Sequence, residues 1–358
     1  MNRGRRRALQ AAAALALLPG LGRSEAAPAP AAVGYLPWWM AAGWRDLRLE
    51  SIKRLVLFDA PISATGALER RDWAKLAPGL AAHGVPLELA LTLLGDGDFE
   101  RVFAHAEPRE RLLAACTRYV DDSMLAGLHL DIEGYSVMSG AAISGFRSWL
   151  ATLHEIALAK GKTLSAFFPA SDEFRAYDAP AAGRMSWWVA QLYDAHWAES
   201  KVTGPLVTRH EANEVGVPRA LARLAALGVS RSRVLLSVPL YGWQWASASE
   251  RPGAAAQAKA RLLTYAETPA ALMPNDRLAA RTLARRYGLR RDSEQTPYYA
   301  YRDNGHWVQG WYEDFTSLTS KLGPERQRGY AGLAFFPLGY DAGEIVEPLL
   351  GWWRAPPT

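Results

Sequence analysis

Eight short apolar segments recur along this chain, at residues 33–39, 54–62, 87–94, 127–133, 163–169, 187–193, 234–241 and 332–338. Several of them are almost continuously apolar, which is typical of strands that are buried on both faces. Stretches with helical or loop-like patterns separate them. Strand and helix therefore alternate eight times, and this alternation favours an α/β protein in which a parallel sheet closes into a (β/α)8 TIM barrel.

The helices between these strands are indicated by apolar periodicity and by stop signals. Gly84, Gly161 and Gly228 each follow a periodic stretch, at the position where a helix commonly ends. The sequence predicts helices over residues 74–83, 109–120, 145–160 and 219–227.

The connection after the seventh strand is longer than a barrel requires. Residues 244–295 include a helical stretch over 276–287, and residues 296–311 have the pattern of a hairpin around Asp303, Asn304 and Gly305. Asn-Gly favours the two-residue turns that join hairpin strands. We interpret residues 244–311 as a small excursion on the seventh βα connection of a single domain that spans residues 33–354.

The first 26 residues have the composition of an export signal. Four arginines within the first seven residues precede an apolar run over 8–18, and small residues follow, which is the layout of a cleaved signal peptide. The basic start also resembles a twin-arginine signal. The alternative, a membrane anchor, is disfavoured because the run is about half of the ~20 residues that a spanning helix needs. We expect a periplasmic or extracellular protein with a linker over 27–32 and no integral membrane segment after signal removal.

Charge, cysteine content and motif spacing narrow the chemistry. Without residues 1–26 the chain has 36 basic and 35 acidic residues, so most of the net charge of +5 comes from that segment. The net charge therefore does not indicate a surface that binds nucleic acid. Cys116 is the single cysteine, and a buried apolar role is favoured over a nucleophile. The seven histidines lack the spacings of zinc-dependent hydrolases, and no glycine motif for a nucleotide is present. We expect no metal and no other cofactor.

The fourth predicted strand carries three ionisable side chains on one face. Side chains alternate between the two faces of a strand, so His129, Asp131 and Glu133 point the same way, opposite to the apolar residues between them. Burying such groups costs several kcal/mol unless they are paired or used. An adjacent aspartate also raises the pKa of a glutamate, as a general acid requires. The pattern indicates either a catalytic acid or a polar cluster that only braces the barrel.

The same strand resembles the active-site strand of family 18 glycoside hydrolases, the chitinase family. Its pattern is Asp-Gly-x-Asp-x-Asp-x-Glu, of which Gly127, Asp131 and Glu133 are present, whereas Ala126 and His129 replace the first two aspartates. Further segments resemble family motifs in the same order: Val33-Gly34-Tyr35 with Trp38, Gln191-Leu192-Tyr193-Asp194, Pro239-Leu240-Tyr241-Gly242, Trp311-Tyr312-Glu313-Asp314 with Ser317 and Lys321, and Gly332–Phe336 with Phe336 in place of tryptophan.

This resemblance implies a retaining glycosidase that uses substrate-assisted catalysis. In that scheme Glu133 protonates the glycosidic oxygen, Asp131 orients the acetamide group of the substrate, and Tyr193 donates a hydrogen bond to the acetamide oxygen. The substrate-binding residues that the resemblance implies are Asp194, Tyr241, Phe336, Tyr35, Trp38 and His129.

The implied partner is an N-acetylhexosamine-containing polysaccharide or oligosaccharide, and chitooligosaccharides, peptidoglycan and amino-sugar exopolysaccharides all fit. The alternative is a non-catalytic, lectin-like protein on the same barrel. Glu133 favours the enzyme, because loss of this acid is how such lectins arise. His129 leaves three possibilities open: it pairs with Asp131 and holds it ionised, it alters the pH optimum, or it marks drift from catalysis. Phe336 keeps an apolar floor but lacks the indole N–H.

Overall fold

The computed structural model of this protein describes residues 29–69, 71, 73–95, 97–133, 138–169, 175–210, 215–267 and 278–356. The predicted export signal over 1–26 lies outside these residues, as do residues 27 and 28 of the predicted linker. Within the described ranges, every helix is either too short or too polar to cross a membrane.

The core of the molecule is a closed barrel of eight parallel strands, which confirms the predicted fold. Each strand pairs with the next one along the barrel, and the last closes the ring against the first. Numbered in chain order, the barrel strands are β1 (Ala32–Pro37), β2 (Arg54–Pro61), β3 (Leu87–Leu93), β4 (Leu125–Ile132), β5 (Thr163–Phe168), β6 (Trp188–Ala190), β7 (Val234–Pro239) and β13 (Gly332–Phe336).

The barrel is surrounded by helices whose apolar faces pack on the outer side of the strands. Most follow a barrel strand, as a (β/α)8 fold requires. The α-helices are α1 (Trp73–Ala81), α2 (Asp98–Phe103), α3 (Ala106–Val120), α4 (Gly140–Ala159), α5 (Ala179–Gly183), α6 (Val217–Ala226), α7 (Ala280–Tyr287), α8 (Phe315–Leu322) and α9 (Val346–Arg354), and a 3-10 segment, Trp38–Asp46, follows β1.

A separate five-stranded sheet, called the inserted sheet below, lies between β7 and α8. Its order is β10-β11-β12-β8-β9, with β8 (Tyr241–Ser247), β9 (Arg261–Thr264), β10 (Arg290–Arg291), β11 (Pro297–Asp303) and β12 (His306–Tyr312). Its described pairings are antiparallel. The predicted Asn304-Gly305 turn joins β11 to β12, and both residues have the positive φ that a type I′ turn requires. The sheet begins three residues before the predicted excursion, at Tyr241.

A buried ion pair joins the inserted sheet to the barrel wall. The Lys321 ammonium on α8 lies 2.8 Å from both carboxylate oxygens of Glu313, which directly follows β12. Glu313 also accepts a hydrogen bond from the Val207 backbone N–H, 3.1 Å away. Asp314 and Ser317 form a reciprocal capping box at the start of α8. These contacts fix the point at which the chain returns to the barrel.

Candidate active site

Asp131 and Glu133 form a buried carboxyl pair at the carboxyl end of β4. Asp131 is the penultimate residue of the strand, and the Glu133 backbone N–H still donates to the Leu93 carbonyl of β3, at 3.0 Å. The two side chains are 6% and 7% exposed and share a hydrogen bond. Alternation along β4 places both carboxyls on the same face, and their position at the carboxyl end of the strand places them where active sites of this fold lie.

The electrostatics of this pair favour one retained proton near neutral pH. Burial is the largest cause that raises the pKa of Asp131, to about 7, and the nearby Asp59 carboxylate raises it further. Burial likewise raises the pKa of Glu133 well above its usual value, and the charge of Asp131 adds to this. Two buried carboxyls this close cannot both ionise, so they titrate as a unit. The pair can deliver a proton to a bound oxygen atom.

Tyr193, Asp194 and Tyr241 line the neighbouring side of the site. The Tyr241 hydroxyl donates to Asp194 Oδ1 at 2.6 Å, and Asp194 adopts a left-handed conformation with φ of 68°. Burial raises the pKa of Asp194 to about 6, against the lowering effect of the Tyr241 hydrogen bond. Burial also raises the pKa of the Tyr193 phenol well above its usual value. The Tyr193 hydroxyl therefore stays protonated and can act as a donor.

Phe336, the last residue of β13, lies at the centre of an aromatic floor. Its ring is 5.2 Å from Phe58, 5.8 Å from Tyr35 and 6.2 Å from Tyr241, each in edge contact. The Tyr193 ring lies nearly parallel to it at 6.5 Å. Four predicted site residues from four different chain segments therefore meet here, and a sugar ring could rest on this surface.

Trp38, which the resemblance implies as a substrate-binding residue, and two other tryptophans close to strand ends lie at different depths. Trp38 is 39% exposed, and the Arg71 guanidinium lies 4.7 Å from its ring. Its ring contacts Trp39, which in turn contacts Phe58 in the aromatic floor. Trp243 packs edge-on against Tyr241 at 5.7 Å. Trp245 is fully buried in the core of the inserted sheet, where it does not face the site.

A chain of buried polar side chains lies beneath the carboxyl pair. His129 is fully buried, with Nε2 2.9 Å from the Tyr35 hydroxyl and Nδ1 2.8 Å from Ser165 Oγ. Ser165 in turn donates to Glu88, which also accepts from Thr163 at 2.6 Å. Of the three possibilities for His129, the pairing with Asp131 is not formed, since both ring nitrogens bind other side chains.

Asp59 was missed by the sequence-based interpretation. It follows the apolar run of β2, is buried, and accepts a hydrogen bond from the Thr92 hydroxyl at 2.6 Å. Burial raises its pKa, and its charge acts on Asp131. The signal was present in the sequence: one acidic residue near the carboxyl end of an otherwise apolar strand. Ser165 and Glu88 are likewise polar residues within apolar strands, but they lie in the amino-terminal halves of β5 and β3.

In the described part of the chain, no three His, Cys, Asp or Glu side chains are grouped so that they could hold a metal ion. Cys116 is buried, and burial raises the pKa of its thiol.

Solved structures with this architecture include chitinases. The family 18 chitinase of Cycas revoluta, solved with allosamidin, has a TM-score of 0.73 at 17% identity, covering 91% of this chain and 100% of that one. Catalytic domain 2 of the Ostrinia furnacalis Group II chitinase has a TM-score of 0.70 at 18% identity, covering 92% of this chain and 98% of that one. The spore cortex-lytic enzyme SleL of Bacillus megaterium QM B1551 has a TM-score of 0.67 at 16% identity, covering 90% of this chain and 74% of that one. No curated protein sequence matches the chain.

The barrel and the carboxyl pair at the end of β4 define the architecture of a (β/α)8 glycoside hydrolase. The model of glycosyl hydrolases family 18 matches residues 87–341, which is more than half of the chain. The chain belongs to this family, and the resemblance seen in its motifs is confirmed. The roles assigned to individual site residues remain predictions.

Proposed function

We propose that this protein is a retaining glycosidase that cleaves bonds next to N-acetylhexosamine residues. The observation that carries the proposal is the buried, hydrogen-bonded pair of Asp131 and Glu133 at the carboxyl end of β4. A non-catalytic glycan-binding protein would have no need of a buried acid with a raised pKa, because burial of such a group costs stability.

The proposed reaction uses the acetamido group of the substrate as the nucleophile. Glu133 donates its proton to the glycosidic oxygen, the C1–O bond breaks, and the acetamide oxygen bonds to C1. Asp131, relieved of the shared proton, stabilises the positive oxazolinium ion through the acetamide N–H. Tyr193 donates to the acetamide oxygen and helps to orient it. The Glu133 carboxylate then takes a proton from water, whose oxygen attacks C1 and regenerates the acetamide.

Ligands of structural neighbours support the choice of substrate class. The Cycas revoluta chitinase has been solved with (GlcNAc)3, and a mutant of the Ostrinia furnacalis catalytic domain 2 with a longer N-acetylchitooligosaccharide. The aromatic floor around Phe336, with Tyr193 and the Asp194–Tyr241 pair at its edge, gives this chain a surface of the kind that binds a sugar ring and its polar substituents.

The first test is hydrolysis of fluorogenic chitobioside and chitotrioside between pH 4 and 9. We expect turnover by the wild type and a loss of roughly 10²–10⁴-fold in Glu133→Gln, because general acid catalysis contributes about that factor. Glu155→Gln, on the exposed side of α4, is the matched control and should keep full activity.

Two other outcomes would change the assignment. Oligosaccharide binding without turnover in both wild type and Glu133→Gln would show a lectin. If the protein neither binds nor hydrolyses chitooligosaccharides, these are excluded as substrates, and the test moves to peptidoglycan and amino-sugar exopolysaccharides.

We also propose export to the periplasm or beyond. The four early arginines, the apolar run and the small residues before residue 27 support this. N-terminal sequencing of protein expressed with its leader should find a start near residue 27, and an intact Met1 in the cell-free fraction would contradict cleavage.

A further inference from the structure

The polar chain beneath the carboxyl pair has a defined direction of hydrogen-bond donation. Glu88 is fully buried, and burial raises its pKa, whereas the Arg54 guanidinium 3.6 Å away and the hydroxyl donated by Ser165 favour its charged form. Ser165 has one hydrogen and donates it to Glu88. Its oxygen must therefore accept from His129, and the Nδ1 of His129 carries the proton.

This direction fixes the state of both His129 nitrogens. A neutral imidazole has one donor and one acceptor nitrogen, so with Nδ1 protonated Nε2 must accept. The Tyr35 hydroxyl, 2.9 Å away, is then the donor. Burial lowers the pKa of His129 to about 3, so the ring stays neutral throughout the working range. The Trp187 ring is stacked on the imidazole at 5.3 Å and holds its orientation.

The donated hydrogen of Tyr35 is consequently unavailable to Asp131. Burial is the largest cause that raises the pKa of the Tyr35 phenol, and the charge of Asp131, two residues beyond His129 on the same face of β4, raises it further. Asp131 Oδ1 is buried and has no hydrogen-bond partner among the described residues. A phenol that donated to this oxygen would stabilise the Asp131 carboxylate, whereas a phenol that donates to His129 presents only lone pairs to it.

We propose that His129 is a positioning residue that holds the Tyr35 hydroxyl away from Asp131 and so keeps the Asp131–Glu133 pair singly protonated. The inference rests on the proposed function for its catalytic meaning, but the arrangement of protons is a property of the free protein. The side chains that contact the imidazole are Tyr35 from β1, Ser165 from β5 and Trp187, which directly precedes β6. The buried carboxyl of Glu88 from β3 lies behind Ser165, and Asp131 follows on the same face of β4.

Two substitutions separate the Tyr35 contact from the Ser165 contact. His129→Asn keeps a donor near the position of Nδ1 but is too short to accept from Tyr35. His129→Gln places a carbonyl oxygen near the position of Nε2 and retains that acceptor. We expect His129→Asn to lower the apparent pKa of the carboxyl pair by roughly one unit, since a freed Tyr35 donor favours the charged form. His129→Gln should stay near the wild-type value.

The decisive measurement is carboxyl NMR of protein labelled with ¹³C at aspartate and glutamate side chains, titrated without substrate. The shift caused by His129→Asn should vanish in a Tyr35→Phe background. Equal effects of His129→Asn and His129→Gln, or a shift that persists without the Tyr35 hydroxyl, would overturn the proposal. This result does not depend on turnover, so it stands apart from any failure of the glycosidase assignment.

A second readout measures the proton positions of His129 in the wild-type protein. In ¹⁵N-histidine-labelled wild type, His129 should show a protonated Nδ1 and an unprotonated Nε2 at every pH from 5 to 8, and His129→Gln identifies its signals. A protonated Nε2, or titration of the ring in this range, would contradict the arrangement. If the protein hydrolyses chitotrioside, the acidic limb of kcat/KM should move with the NMR value in His129→Asn.

Discussion

At the scale of single residues, Tyr193 combines two roles that a smaller side chain could not. Its ring lies nearly parallel to Phe336 at 6.5 Å and meets Tyr241 edge-on at 5.9 Å, so two aromatic contacts orient one hydroxyl. The residue follows the short strand β6 and is 7% exposed. A donor held this firmly needs little reorganisation when charge develops on a substrate oxygen.

Tyr193→Phe should therefore reduce kcat much more than it raises KM. The ring contacts remain while the donor is lost, and removal of one such donor costs about 10²–10³-fold in kcat in comparable sites. The measurement is steady-state hydrolysis of fluorogenic chitotrioside. Tyr301→Phe, in the inserted sheet, is the control and should behave as wild type. Unchanged kcat in Tyr193→Phe would remove the hydroxyl from the reaction.

Phe336→Leu tests the aromatic floor in the opposite way. Leucine keeps the position apolar but removes the face on which a sugar ring would stack, and aromatic pairs contribute about 0.5–1.5 kcal/mol beyond their buried area. We expect KM to rise about 3–10-fold with little change in kcat. Phe315→Leu, on the exposed side of α8, provides the comparison. A fall in kcat at constant KM would instead place the ring in contact with the transition state.

The residues of the site differ in how well the sequence could predict them. Asp131 and Glu133 share one strand, and a period of two was enough to place them together. Asp59, Ser165 and Glu88 come from three other strands, and only the register of the closed barrel brings them to the same interior. The hydrogen-bond partners of His129 depend on that register, which is why the sequence left several possibilities open for this residue.

At the scale of secondary-structure elements, the buried pair of Glu313 and Lys321 sets the position of α8. Their side chains are 0% and 1% exposed, and burial raises the pKa of Glu313 while Lys321 lowers it. A charge left alone in this place would be costly, because it would be buried without a partner. The pair therefore matters for where the inserted sheet meets the barrel.

Lys321→Met should lower the free energy of unfolding by about 3–5 kcal/mol, since it leaves the Glu313 carboxylate unpaired. Adding Glu313→Gln should restore part of the loss, because the amide oxygen can still accept from Val207 without carrying a charge. Lys259→Met removes a pair with Glu199 that is largely exposed and should cost about 0–1 kcal/mol. Urea denaturation measures all three, and equal losses for the two single variants would contradict the prediction.

Element boundaries show which local signals the sequence-based interpretation overlooked. The fourth helix begins at Gly140 rather than at residue 145, because the Ser139 hydroxyl accepts from the Ala142 backbone N–H at 3.1 Å. A serine six residues before the predicted start is an ordinary start signal. The segment 234–241, predicted as one strand, is divided between β7 and β8. Apolar content does not distinguish two consecutive strands, and only pairing does.

At the scale of the whole molecule, the site imposes a pH dependence on stability. Asp131 and Asp194 have pKa values of about 7 and about 6, above the ordinary 3.8, so between pH 4 and 7 the folded protein binds more protons than the unfolded chain. The free energy of unfolding must then fall as pH rises through this range. His129 has the opposite effect below pH 6.5, because its pKa is lowered to about 3 in the folded protein and only the unfolded chain binds its proton there. This amounts to one proton only.

The Tm of the wild type should therefore decrease from pH 5 to pH 8, and the double variant Asp131→Asn/Glu133→Gln should show a smaller decrease. Each unit of raised pKa corresponds to about 1.4 kcal/mol of stability lost above it. Calorimetry or circular dichroism at constant ionic strength measures the slopes. Parallel curves for the two proteins would mean that the carboxyl pair titrates alike in the folded and unfolded states.

Tyr241 belongs to two parts of the molecule at once. It is the first residue of the inserted sheet, paired with Thr264, and its hydroxyl and ring belong to the wall of the site. The sheet is therefore not a detachable cassette. Exchanging the sheet with that of another family member, or joining residue 240 directly to residue 313, would also remove one wall of the candidate active site. A graft that keeps this wall must therefore begin after Tyr241.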